Sequence, residues 1–192
     1  MIVVLDEDRA ETDLAAGVIG CPRCPGSLRP WSWAPARRIR QLDGSTRLVR
    51  PRRARCTSCR STQVLLPASC QPRRADATEV IGAALLAKAR GRGYRSIARD
   101  LARPPATVRR WLRRVRGQHV QWLRRRGLDH ASRLDPEALN DVAAQPTGLG
   151  DALAALAAAV SAYRRRFTPA AGAWPLIGAF TGGRLLLPAQ TG

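Results

Sequence analysis

Cys21-Pro22-Arg23-Cys24 and, after a 31-residue spacer, Cys56-Thr57-Ser58-Cys59 form two C-x-x-C knuckles. That spacing lets two thiolates close on one metal, and four complete a tetrahedral zinc site with no position open for chemistry. Cys21, Cys24, Cys56 and Cys59 are therefore expected to hold one structural Zn2+. Metal-binding energy then becomes folding energy, which an arginine-loaded segment with few large apolar residues needs. The competing reading of Cys21 and Cys24 is a redox dithiol, a motif that belongs at a helix N-terminus in a βαβ setting. Pro25 and Gly26 follow at once and no helical pattern begins, so the redox reading is the weaker one. Unligated cysteines are a third reading. Cys70 is left as a spare thiol.

Between the knuckles, Trp31 and Trp33 stand at period two, and Asp43-Gly44 sits between two basic, extended segments. An Asp-Gly dipeptide accepts the positive φ angles of a tight hairpin, so 39–42 and 48–55 are expected to pair. A third strand is expected at 62–66, stopped by Pro67. Knuckle, hairpin, knuckle, strand is the layout of a zinc ribbon, here over 21–67, with a spacer longer than the usual roughly 15–20 residues. The preceding segment, 1–20, is acidic, with Asp6, Glu7, Asp8, Glu11 and Asp13 against Arg9. It could form a short strand at 2–5 and a helical turn at 12–18.

The net charge is +19 and the pI about 11.7; of 33 basic residues only Lys88 is lysine. Such an excess points to a polyanion partner, because neutralising phosphates releases counterions. Arginine adds forked contact to phosphate and guanine. The N-terminus has no signal-peptide pattern, and no stretch approaches the roughly 18 apolar residues of a membrane span. A cytoplasmic, nucleoid-associated protein is expected.

After a polar linker at 68–77, residues 78–126 read as helical. Thr78 could cap a first helix, with Val80, Ile81, Ala84 and Leu85 on one face. Gly91 and Gly93 break it, and Ser96 could cap a second. Arg103-Pro104-Pro105 turns the chain into a third helix from about Ala106, with Val108, Trp111, Leu112 and Val115 inward. Two short helices around a tight turn, after a support helix, form a helix-turn-helix. The outward face of the third carries Thr107, Arg109, Arg110, Arg113 and Arg114. Thr107 and Arg110 are the candidates for base contact, since the first residues of a recognition helix reach base edges; Arg109, Arg113 and Arg114 would hold phosphates. Arg95, Arg52 and Arg53 are further DNA-contact candidates. Over 88–126 there are fourteen basic residues and one acid, Asp100. The plain alternative is a solvated basic face on an ordinary bundle. Trp111 is expected in the core.

The third helix could continue past Gly117 to Arg126. Within 127–167, further helices are expected at 134–143 and 148–167. Leu149, Leu153, Leu156 and Val160 make a stripe that packs on the core or forms a homodimer contact. Residues 168–192 read as a loose tail.

The order of motifs resembles the N-terminal region of bacterial insertion-sequence transposases and related small helix-turn-helix proteins. The resemblance rests on Cys21-Pro22-Arg23-Cys24, on Arg52-Arg53-Ala54-Arg55-Cys56-Thr57-Ser58-Cys59, on Tyr94-Arg95-Ser96-Ile97-Ala98-Arg99-Asp100-Leu101, and on Ala106-Thr107-Val108-Arg109-Arg110-Trp111-Leu112. It covers 21 to about 116 and implies a ribbon placed ahead of a DNA-binding helix-turn-helix. Glycine does not follow the second cysteine of either knuckle; Pro25 and Arg60 stand there.

The catalytic part of such a transposase has no counterpart. Two-metal strand transfer needs carboxylates spread over an α/β core, and the acids after the third helix, Asp129, Asp135, Glu137, Asp141 and Asp151, crowd into one helical stretch. His119 and His130 lack a neighbouring nucleophile or carboxylate pair, and no G-x-x-x-x-G-K loop occurs.

The expected fold is mainly α with a small β zinc ribbon, followed by a homeodomain-like helix-turn-helix domain. The expected function is non-enzymatic, sequence-specific binding of double-stranded DNA, as a transcriptional regulator or as an accessory or remnant of a mobile element. No membrane or small-molecule substrate is implied. The alternatives are a DNA-binding subunit of a transposase or recombinase with a catalytic partner, an RNA-binding ribbon protein, or a protein–protein adaptor using the 149–160 stripe.

Overall fold

The structure is a computed structural model that describes residues 1–140 and 142–186. Strands β1 (Ile2–Val4), β2 (Leu28–Trp33), β5 (Arg52–Cys56) and β6 (Thr62–Pro67) form one mixed sheet in the order β1-β6-β5-β2. Strands β3 (Arg37–Arg40) and β4 (Thr46–Val49) form a separate antiparallel hairpin. Helix α1 (Glu7–Ala16) lies on the sheet. The helical part comprises α2 (Thr78–Ala89), α3 (Tyr94–Asp100), α4 (Pro105–Arg114), α5 (Gln118–Leu134), α6 (Gly148–Arg166) and α7 (Ala173–Phe180). The architecture is mainly helical with a small sheet that carries the cysteines.

The acidic segment 1–20 is part of the sheet unit. β1 pairs in parallel with β6, Val3 opposite Leu66. The helix is longer than the turn expected at 12–18 because Asp6 caps it, its carboxylate accepting from the Arg9 N–H at 2.9 Å. Ala10 and Leu14 then meet Leu28, Ala54, Cys56 and Leu65 in a small core beside the knuckles.

The hairpin differs from the pairing expected between 39–42 and 48–55. It closes at Asp43-Gly44 as expected, but β4 ends at Val49 and Pro51 interrupts the ladder. The chain after Pro51 becomes β5, which pairs with β2 on one side and β6 on the other. The third strand, expected at 62–66, is β6 (Thr62–Pro67).

The segment 68–77 is not a free linker: Ala68, Cys70, Gln71, Asp76 and Ala77 are buried. Burial keeps the Cys70 thiol protonated by pushing its pKa up. Arg40 exchanges backbone hydrogen bonds with Ala75 and Ala77, tying the hairpin to this segment. Thr78 does not cap α2. Its hydroxyl donates to the Ala68 carbonyl at 2.9 Å and accepts from Gln71, fixing the linker instead. Nor does Ser96 cap α3, which starts three residues earlier, behind Gly93.

Helix α4 does not run on to Arg126. The chain breaks at 115–117 and α5 starts afresh at Gln118, then crosses the expected boundary at 126 and runs to Leu134. In place of a helix at 134–143 there is a single 3-10 turn, Pro136–Leu139, set by the Asp135 side chain accepting from the Glu137 N–H. Asp141 lies outside the described residues. Helix α6 matches 148–167 closely, capped by the Thr147 hydroxyl. Leu153, Leu156 and Val160 are buried in the chain's own core, so the stripe packs inward. Gly127 lets α5 and α6 touch: a Cβ there would fall 2.5 Å from the Ala155 carbonyl carbon.

The expected loose tail is ordered through Leu186. Leu176, Ile177 and Phe180 of α7, with Leu185 and Leu186, are buried among the other helices. Leu187 and the rest of 187–192 lie outside the described residues. The helical core also takes Ile39 and Val49 from the hairpin and Leu66 from the sheet, so strands and helices share apolar contact. No described helix is long and apolar enough to cross a membrane.

Candidate metal centre and basic helix face

The sheet places the two knuckles at one end. Cys56 closes β5 and pairs with Leu28 at the start of β2, just after the first knuckle. The Cys21, Cys24, Cys56 and Cys59 sulfurs all lie within 4.8 Å of one another. Cys21 and Cys59 are 3.7 Å apart, Cys24 and Cys56 3.4 Å. A tetrahedron with metal–sulfur bonds of about 2.3 Å has edges of about 3.8 Å, so the four sulfurs fit a closed, structural metal site.

The local backbone serves that geometry. The Arg23 N–H points at Cys21 Sγ at 3.4 Å. Arg60, after the second knuckle, takes the left-handed conformation (φ 60°), the conformation in which glycine would be free of strain. Gly26 is needed for close approach, since a Cβ there would fall 2.4 Å from Ser58 Oγ and 3.1 Å from Cys56 Sγ. The Ser61 hydroxyl lies 3.1 Å from Cys59 Sγ and 3.6 Å from Cys21 Sγ.

The thiols are electrostatically unequal. The Ser61 hydroxyl and N–H pull Cys59 down to about 6. The Gly26 N–H lowers Cys24, but the neighbouring Cys56 and Cys59 outweigh it and push that thiol up to about 11. At Cys21, desolvation raises the pKa, but hydrogen bonds from the Arg23 N–H, Ser61 and Cys56 together outweigh it and leave the thiol lowered. Four thiolates this close repel one another unless a cation sits between them, and a metal supplies that charge.

The second feature is the outer face of α4. Val108, Trp111 and Leu112 turn inward and are buried, each contributing roughly 1.5–3 kcal/mol. That anchoring turns Arg109, Arg110, Arg113 and Arg114 outward, where with Ala106 they line an open concavity. Among the described residues none of these four arginines pairs with a carboxylate. Thr107 is half-buried on the same helix. Arg95 is exposed on α3, its guanidinium 5.6 Å from the Tyr94 ring centre.

Arg52 and Arg53 belong to the sheet, not to this face. Arg52 is engaged within the fold, 2.9 Å from the Glu11 carboxylate and stacked on Trp33 at 4.6 Å. Arg53 is half-buried beside it.

Two further features have no local sequence signal. Arg74 sits near α4: its pKa is lowered chiefly by burial and then by the charges of Arg114 and Arg110. Its charge is thus felt at α4 from a segment 30 or more residues away. The other is a buried clasp. Asp76 receives Arg103 Nε at 2.6 Å on one oxygen and Arg40 at 2.9 Å on the other. Arg103 also donates to the carbonyls of Leu101, Ala102 and Gln41. The turn between α3 and α4, with Ala102 at φ 49°, is in this way bolted to the β3–β4 hairpin.

His119 and His130 are structural. Each Nε2 lies 3.2 Å from a carbonyl, of Leu185 and Phe180 respectively, and burial lowers both pKa values. Both rings stack on aromatic neighbours, Trp122 and Phe180.

Residues 21–111 match a protein family described as a domain of unknown function, DUF6431. The match begins at the first knuckle cysteine and ends at the buried Trp111, so it takes in both knuckles, α2, α3 and most of α4. No curated protein and no solved structure matches the chain.

Proposed function

We propose that this protein binds double-stranded DNA sequence-specifically, with α3 and α4 acting as a helix-turn-helix and the four-cysteine unit as a zinc ribbon that holds them in place. The observation that carries the proposal is the outer face of α4: four arginines, unpaired by any described carboxylate, on a helix whose opposite face is locked into the core. A row of uncompensated guanidiniums costs self-repulsion in the folded state and is offset when phosphates arrive.

On this reading α2 is the support helix and α4 lies in the major groove. Thr107 and Arg110, in its first turns, reach base edges. Arg109, Arg113, Arg114 and the more distant Arg74 hold phosphates on either side of the groove. The Asp76 clasp sets the angle of α4 against the ribbon. Zinc suits the four-thiolate set because it is a closed, redox-inert site. The role is that of a regulator, or of an accessory to a mobile element, as the motif order suggests.

The test compares two arginines on one protein. Arg110→Ala should weaken binding to a selected duplex site more than binding to random duplex, by about 1–3 kcal/mol. Arg125→Ala, exposed on α5, should weaken both alike and reduce the slope of log K against log salt by about one unit. Equal effects of the two substitutions on both duplexes would sink the recognition-helix assignment.

A further inference from the structure

Trp31 and Trp33 lie on β2, the edge strand of the four-stranded sheet, and remain 57% and 48% exposed. Their nearest cationic groups are stacked on them. Arg55 sits 4.6 Å from the Trp31 ring centre and Arg52 4.6 Å from that of Trp33. A guanidinium covers one face of an indole, and exposure of this size leaves much of the other free. The β2–β5 register shifts between Pro30 and Ser32, so Trp31 is the extra residue of a bulge. Bulges commonly re-aim a side chain at a sheet edge.

The surroundings favour a polyanion. Residues 21–67 carry eleven arginines and one acid, Asp43. The other acids near these rings come from α1, where Glu7, Asp8 and Glu11 share a cleft with Trp33. Glu7 is paired with Arg47 and Glu11 with Arg52, leaving Asp8 to repel phosphate at the Trp33 end. Trp31, beside Arg55, is the less opposed of the two.

We propose that the Trp31–Arg55 stack, flanked by Trp33, is a second nucleic-acid site that takes unpaired bases of a single strand. Bases within a duplex have both faces covered by their neighbours, whereas an unpaired base offers a π-face to an exposed ring, and cation–π contact from arginine adds to it. The site is independent of α4, so one protein could hold a duplex on its helical side and a single strand on its sheet edge.

The full-length protein loaded with metal is titrated, at one salt concentration, against labelled oligo-dT, labelled oligo-U and a labelled duplex. Trp31→Ala should weaken single-strand binding about tenfold and leave duplex binding unchanged. Trp33→Ala should do less, and Trp31→Phe should restore most of the affinity. Equal losses on single strand and duplex, or no loss on either single strand, would overturn the proposal. Arg110→Ala should give the opposite pattern. If duplex binding is absent altogether while Trp31→Ala still lowers single-strand binding, the α4 function fails and this site stands.

Discussion

Asp76 is the acid that ties the α3–α4 turn to the β3–β4 hairpin. Its two oxygens neutralise Arg103, which is almost wholly buried, and Arg40, which is half-exposed. Removing the carboxylate leaves the Arg103 guanidinium buried without a counter-charge, and such uncompensated charges cost about 3–5 kcal/mol. Asp76→Ala should therefore lower the denaturation midpoint by about that free energy in chemical unfolding. Arg40→Ala should cost far less, because the exposed partner of a pair contributes little. The contrast separates a clasp on α4 from a general charge effect. The pairing is invisible along the chain, since Asp76 lies 36 residues from Arg40 and 27 from Arg103.

Helix identity in this chain follows apolar period, whereas helix ends follow contacts. Val108, Trp111 and Leu112 mark α4, and Leu153, Leu156 and Val160 mark α6, at the spacing that buries one face. Several caps went elsewhere: Thr78 is recruited by Ala68 and Gln71, and α2, α3 and α4 have no side-chain cap. Their ends are held by packing, so local signals misplace them. The α5–α6 pair shows how strict that packing is. Gly127→Ala places a methyl group against the Ala155–Leu156 backbone, which cannot yield as a flexible side chain would. Thermal unfolding should report a loss of about 1–3 kcal/mol. Gly91→Ala is not an equivalent control, because its φ of 86° strains any side chain. Gly148→Ala, in the first turn of α6 with only a Val120 methyl 3.8 Å away, is, and it should cost little.

The molecule divides into two cores joined by shared side chains. The smaller lies between α1 and the sheet beside the cysteines, the larger among the helices. Ile39, Val49 and Leu66 reach from the strands into the helical core, so order at the knuckles supports α4 through contact as well as through the Asp76 clasp. Metal removal therefore has three expected effects. Chelation should abolish cooperative unfolding of the sheet unit, because binding energy on the order of 10 kcal/mol is lost. Circular dichroism should retain much of its helical signal, since α5 and α6 pack on each other without the ribbon. Duplex binding should fall with the sheet and not with the helices. Loss of all helical signal at once would mean that the two cores fold as a single unit.

The grouping of the four cysteines, the inward face of α4 and the burial of the α6 stripe were all legible in the order of residues. Each is a local periodicity or a fixed spacing, and short-range geometry suffices for it. The β5 strand was assigned to the wrong partner, because Pro51 breaks the hairpin and frees the chain to pair with β2. The tail through Leu186 and the segment 68–77 looked loose for want of period, yet both are held by burial against elements far away in the chain. The charge of Arg74 felt at Arg110 and Arg114, and Arg103 and Arg40 meeting on Asp76, depend on long-range packing. Charge acts through space, and which charges become neighbours is set only when the cores close.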